Sequence, residues 1–118
     1  MSNTKSQINI EVELGEDRIP KQISWSAPDQ QQKDKPVKAM MLSMFDGENK
    51  ETLKIDLWTK EMQVVEMDRF FYQTLRSMSE SYFKATNNQA MARAMQQFVQ
   101  YFGEETEIIP KNKGESKK

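Results

Sequence analysis

Neither cysteine nor histidine occurs anywhere in the 118-residue chain. Without thiols there is no disulfide framework, no thiolate nucleophile and no Cys/His metal site. Without imidazole, the side chain best suited to proton transfer near neutral pH is missing. The four glycines stand apart at positions 15, 47, 103 and 114, so none forms a loop that could cradle a phosphate. No Asp-x-Asp-x-Asp loop is present, and neither a metal nor a cofactor is expected. Charge of one sign is not in surplus: 17 basic and 18 acidic residues leave a net charge of −1. Nucleic-acid-binding proteins usually carry a basic excess, so no nucleic-acid partner is expected. Long hydrophobic runs are missing as well. The longest, Ala39-Met40-Met41-Leu42, is far short of the roughly 20 residues of a membrane span. Residues 1–7 hold no apolar stretch of a secretory signal, and no residue is placed for a lipid anchor. The expectation is a cytoplasmic protein without membrane insertion.

What remains is a chain about 36% hydrophobic, of a length that predicts one domain with one modest core. That domain is expected over residues 1–109. The Lys-rich segment 110–118 cannot pack and is expected to be disordered.

Residues 6–14 alternate without a fault. Ile8, Ile10, Val12 and Leu14 point one way; Gln7, Asn9, Glu11 and Glu13 point the other, which predicts a strand with one wet face. Gly15 to Pro20 is turn-like, and Gln22 to Ser26 is a short second strand with Ile23 and Trp25 on one face. The polar stretch bracketed by Pro28 and Pro36 has no core signal and is expected as a mobile loop. Val37 to Phe45 is apolar on both sides, as in a central strand. Asp46 to Lys50 predicts a hairpin loop with Gly47 free to take φ > 0. Glu51 to Trp58 returns, with Leu53, Ile55 and Leu57 inward and Thr52, Lys54, Asp56 and Trp58 outward.

The period then changes from 2 to 3.6. Val64, Met67, Phe71, Leu75, Met78, Tyr82 and Ala85 make one apolar stripe, predicting a helix over about 64–85. One of Asn87 and Asn88 is placed to cap a second helix. In that helix Met91, Met95, Phe98 and Phe102 form the stripe, Ala90, Ala92 and Ala94 allow close approach, and Gly103 is an end signal that Glu104 and Glu105 could carry the helix beyond. Core packing is the expected role of Met67, Met78, Met91 and Met95. Strands followed by helices read as α+β: a four-stranded antiparallel meander sheet with both helices packed on one face.

Chemistry finds few footholds. Glu11 and Glu13 share a strand face, and Asp56 with Glu51 is a second carboxylate pair; solvation explains both, because wet faces are normally charged. No serine or lysine has a neighbouring motif that would make it a nucleophile. The outward face of the central hairpin is more informative. It carries Met41, Phe45 and Trp58 with Lys54 and Asp56 between them, and exposed apolar area of this kind marks a partner-binding surface. The competing reading covers these groups with the loop or with Ile108-Ile109.

The block Thr52-Leu53-Lys54-Ile55-Asp56-Leu57-Trp58-Thr59-Lys60-Glu61-Met62, followed by Val64-Val65-Glu66-Met67 and Phe70-Phe71-Tyr72-Gln73-Thr74-Leu75, resembles the gliding-motility-associated GldC family. Asn3-Thr4-Lys5-Ser6, Trp25, Ala39-Met40-Met41-Leu42-Ser43 and Lys84-Ala85-Thr86-Asn87 extend the resemblance over residues 1 to about 105, with 29–36 and the tail least alike. It implies a small non-enzymatic protein, accessory to the motility machinery and without catalytic residues to carry over. The expected partner is a protein of the gliding or secretion apparatus. The alternatives are a homodimer, a peptide-binding or chaperone-like protein using the edge at residues 8–14, and a small carboxylate enzyme.

Overall fold

A computed structural model describes residues 3–111, without the side chains of residues 30 and 32. The chain divides between Met62 and Gln63 into two compact units, one of strands and one of helices.

The first unit holds five strands: β1 (Asn9–Leu14), β2 (Pro20–Ala27), β3 (Gln32–Val37), β4 (Ala39–Asp46) and β5 (Glu51–Trp58). They form two antiparallel sheets, β1-β2-β3 and β4-β5, in place of the expected four-stranded meander. The difference lies in β3. Its sequence, QKDKPV, carries no apolar alternation because it lies at a sheet edge and is held by backbone pairing to β2. Pro36, opposite Ser24, is tolerated for the same reason: an edge strand has one side with no ladder bonds to lose. The segment expected as a loop over 28–36 is therefore a 3-10 turn, Pro28–Gln30, followed by a strand. Gln31 takes φ 60° to join them. Only Lys38 separates β3 from β4, and there the chain passes from one sheet to the other.

Across the first sheet Val12, Ile23 and Val37 stand in one row, with Ile10 and Trp25 in the next. Ile23 is 1% exposed, the most deeply buried apolar side chain of the unit. In the second sheet the register matches the expected parity. Met40, Leu42 and Met44 lie opposite Leu57, Ile55 and Leu53 on one face, and Ala39, Met41, Ser43 and Phe45 lie opposite Trp58, Asp56, Lys54 and Thr52 on the other. The hairpin closes with the left-handed conformation at Lys50, φ 63°, not at Gly47. Asp46 makes this feasible, as its carboxylate accepts from the Glu48 N–H at 2.8 Å and its carbonyl from the Lys50 N–H at 2.9 Å.

The second unit is a helical hairpin of α1 (Val64–Thr86) and α2 (Gln89–Glu105). The Gln63 N–H donates to Glu66 at 3.0 Å at the start of α1, and Asn88 caps α2 by accepting from the Met91 N–H at 3.1 Å. Asn87 reverses the chain at φ 58°, its N–H bonded to the Phe83 carbonyl. The buried residues are not those of the apolar stripes. They are Ser79 in α1 and Ala92, Val99 and Gly103 in α2. Small side chains set this seam: the Tyr72 ring lies where a Cβ on Gly103 would meet it at 2.6 Å. Gly103 is thus a close-approach site inside α2, not its end. Its carbonyl also accepts from the Ile108 and Ile109 N–H groups, folding the segment after α2 back onto the helix. Phe71, Met78, Met91 and Phe98 remain exposed, so core packing does not hold for Met78 and Met91. From residue 112 onward the expected tail lies outside the described residues.

Candidate functional site

Hairpin parity dictates which side chains share a surface, and it places the anticipated contact residues together on one face of β4–β5. Phe45 is 65% exposed and Trp58 53%, while Met41 is half-buried. Lys54 and Asp56, two residues apart on one strand, form an ion pair across that face. The five do not make one continuous patch. Trp58 lies opposite Ala39, six residues from Phe45, which is about 20 Å at roughly 3.4 Å per residue. Ser43, Lys54 and Asp56 fill the interval.

The opposite face is the continuous one. Met40, Leu42, Met44, Leu53, Ile55 and Leu57 cover it without a polar interruption, and Leu53 is 56% exposed. Sequence parity assigns these residues inward and misses their exposure at the hairpin end. The signal available was length: β4 is half-buried over Ala39–Leu42 and exposed over Ser43–Asp46, so the half of the ribbon next to the polar loop is the open one.

A cleft of about 540 Å³ in the strand unit lies between the β1–β2 turn and the residues after β5, lined by Gly15, Asp17, Ile19, Lys21, Thr59 and Lys60 among others. Lys60 is ion-paired with Asp17. Its ammonium, together with the Ile19 N–H that donates to Asp17 at 3.0 Å, holds that carboxyl below its ordinary value. Thr59 is buried, and its hydroxyl has no partner among the described residues. Its backbone N–H donates to the Lys38 carbonyl at 2.9 Å. Thr59 and Lys60 thus tie the end of β5 to the β3–β4 bend and to the first turn.

Glu11, Glu13 and Asp56 are all exposed, Asp56 with Lys54 as its partner. Among the described residues no three acidic side chains gather as a metal-binding group. No described helix is long and apolar enough to cross a membrane. β1 is an edge of its sheet, as a peptide-accepting strand requires.

Fold and surface together define a small α+β protein of antiparallel sheets and a helical hairpin, with apolar side chains open on a β-ribbon. Residues 20–108 match the family described as gliding motility-associated protein GldC-like, and the chain belongs to that family. No curated protein and no solved structure matches it. The Leu57-Trp58-Thr59-Lys60 string falls within the match and supplies the end of β5 and the clasp on the first turn.

Proposed function

We propose that this chain is a non-enzymatic accessory protein of bacterial gliding motility, acting in the cytosol by binding a protein of the motility or associated secretion apparatus. Membership of the GldC-like family supplies the process. The observation that carries the binding role is the exposure of two large aromatic side chains, Phe45 and Trp58, on one face of the β4–β5 ribbon. Aromatic residues are enriched at interfaces because they bring much apolar area at low entropic cost. In this reading Met41, Phe45 and Trp58 are the contacts, and the Lys54–Asp56 pair supplies the polar ground between Phe45 and Trp58.

Affinity capture from native lysate tests it, comparing the wild type with a Met41→Lys/Phe45→Lys double variant. The wild type is expected to retain a motility component that the variant loses, with helical circular dichroism unchanged in both. A folded double variant that retains the same component would overturn the choice of surface.

A further inference from the structure

Among the described residues β5 pairs only with β4, and its outer edge has no ladder partner, although β5 also approaches β2. Which backbone groups face that open edge follows from one hydrogen bond. Ala39 lies opposite Trp58, so the next pair outward is Lys38 with Thr59, and the Thr59 N–H donates to the Lys38 carbonyl. Bonded and non-bonded pairs alternate along an antiparallel ladder. Met40–Leu57, Leu42–Ile55 and Met44–Leu53 are therefore bonded pairs. The N–H and C=O groups of Thr52, Lys54, Asp56 and Trp58 consequently point away from β4.

We infer that this edge pairs with the same edge of a second copy of the chain, antiparallel, with Ile55 on the two-fold axis. Symmetry, charge and strand length select that register, since an axis through Leu53 or Leu57 pairs only residues 51–55 or 56–58 of β5, whereas one through Ile55 pairs 52–58. Outward-pointing residues can bond only to outward-pointing residues, so the axis passes through a residue of β5 and never between two. An axis through Lys54 sets two ammonium groups face to face; one through Asp56 does the same with two carboxylates. An axis through Ile55 sets Lys54 of each copy opposite Asp56 of the other. The intrastrand Lys54–Asp56 pair then becomes a square of alternating charge. In the same register Leu53 faces Leu57 across the axis, and the apolar face of the ribbon continues over four strands. Other free edges lack this property: the outer edge of β4 offers Ala39, Met41, Ser43 and Phe45, which carry no charge to fix a register. Self-pairing of β1 brings Glu11 and Glu13 against their own kind, and β3 is blunted by Lys33, Lys35 and Pro36. The inference is independent of the motility reading and is tested on purified protein alone, so either can fail without the other.

Sedimentation equilibrium on the full chain is expected to give twice the 13.9 kDa chain mass at high concentration. Lys54→Asp and Asp56→Lys should each weaken the dimer at least about tenfold, because like charges then face each other at two symmetric places. Mixing the two single variants should restore association, since every facing pair is again opposite in sign. The double exchange Lys54→Asp/Asp56→Lys should restore it too. The absence of native cysteine permits a geometric check. Non-bonded antiparallel pairs have Cα atoms about 4.5 Å apart, within disulfide range. Ile55→Cys should therefore cross-link to itself on mild oxidation. Leu53→Cys should not, its symmetry mate being about 14 Å away along the strand. A wild type monomeric up to millimolar concentration overturns the inference. So does a dimer indifferent to both charge reversals, a mixture that stays monomeric, or equal cross-linking at positions 53 and 55.

Discussion

The strand unit and the helical unit close their interiors in opposite ways. In the first, the deepest apolar residue is large: Ile23 fills the centre of a three-stranded sheet, between Val12 and Val37. In the second, the deepest residues are small. Ser79, Ala92 and Gly103 let two helices approach until the Tyr72 ring rests on bare backbone. Taking atoms away should damage the strand unit, and adding atoms should damage the helical one. Packing is a matter of fit, and hydrophobicity alone does not say on which side of the fit a position lies.

Each half of that comparison can be broken separately, because both tryptophans, Trp25 and Trp58, lie in the strand unit. Tryptophan fluorescence then reports the strands during urea unfolding, and helical circular dichroism reports the hairpin. The largest effect is expected from Ile23→Ala, at about 3 kcal/mol, for lost transfer energy and the cavity left behind. It should appear as an earlier fluorescence transition. Gly103→Val is expected to cost about 2 kcal/mol through overpacking against Tyr72 and Ile109, read in the circular dichroism. If Gly103→Val stabilised the helices, the small-residue seam would not be what limits them.

The smallest expected effect concerns Asp17. Lys60 holds its carboxyl below the ordinary 3.8, so the folded chain gives up this proton more readily than the unfolded chain. The resulting stabilisation is complete above the ordinary value and is lost as the pH falls through the lowered one. Asp17→Asn should therefore lower the urea midpoint slightly at neutral pH, by less in high salt, and the difference from wild type should vanish in acid. A difference that persisted at low pH would assign the effect to the turn's hydrogen bonds and not to charge.

Where a local rule decided the structure, the sequence could be read. The faces of β4 and β5 follow from a period of 2, and the register places Met41, Phe45, Trp58, Lys54 and Asp56 on one face as expected. Asn88 caps α2 because an Asn before an apolar-periodic run can accept from the first free N–H groups. β3 was illegible because its stability comes from the free edge of β2 and not from its own side chains. The helix seam was illegible for a related reason. Hydrophobic periodicity finds the greasiest stripe, whereas the buried face of this hairpin is the one with the least bulk. The separation of Phe45 from Trp58 needs the register, since both carry outward parity but stand at opposite ends of the ribbon.

One consequence of the bend at Lys38 is mechanical. From Gln32 to Asp46 the chain is extended nearly throughout, with a single residue between the strand that belongs to one sheet and the strand that belongs to the other. Tension applied along the ribbon has no loop to straighten before it reaches the three-stranded sheet. It passes through the single residue Lys38 and is resisted by ladder bonds on both sides of it. The segment transmits a pull instead of absorbing it, and a displacement at the hairpin tip is delivered with little slack to the strands around Ile23.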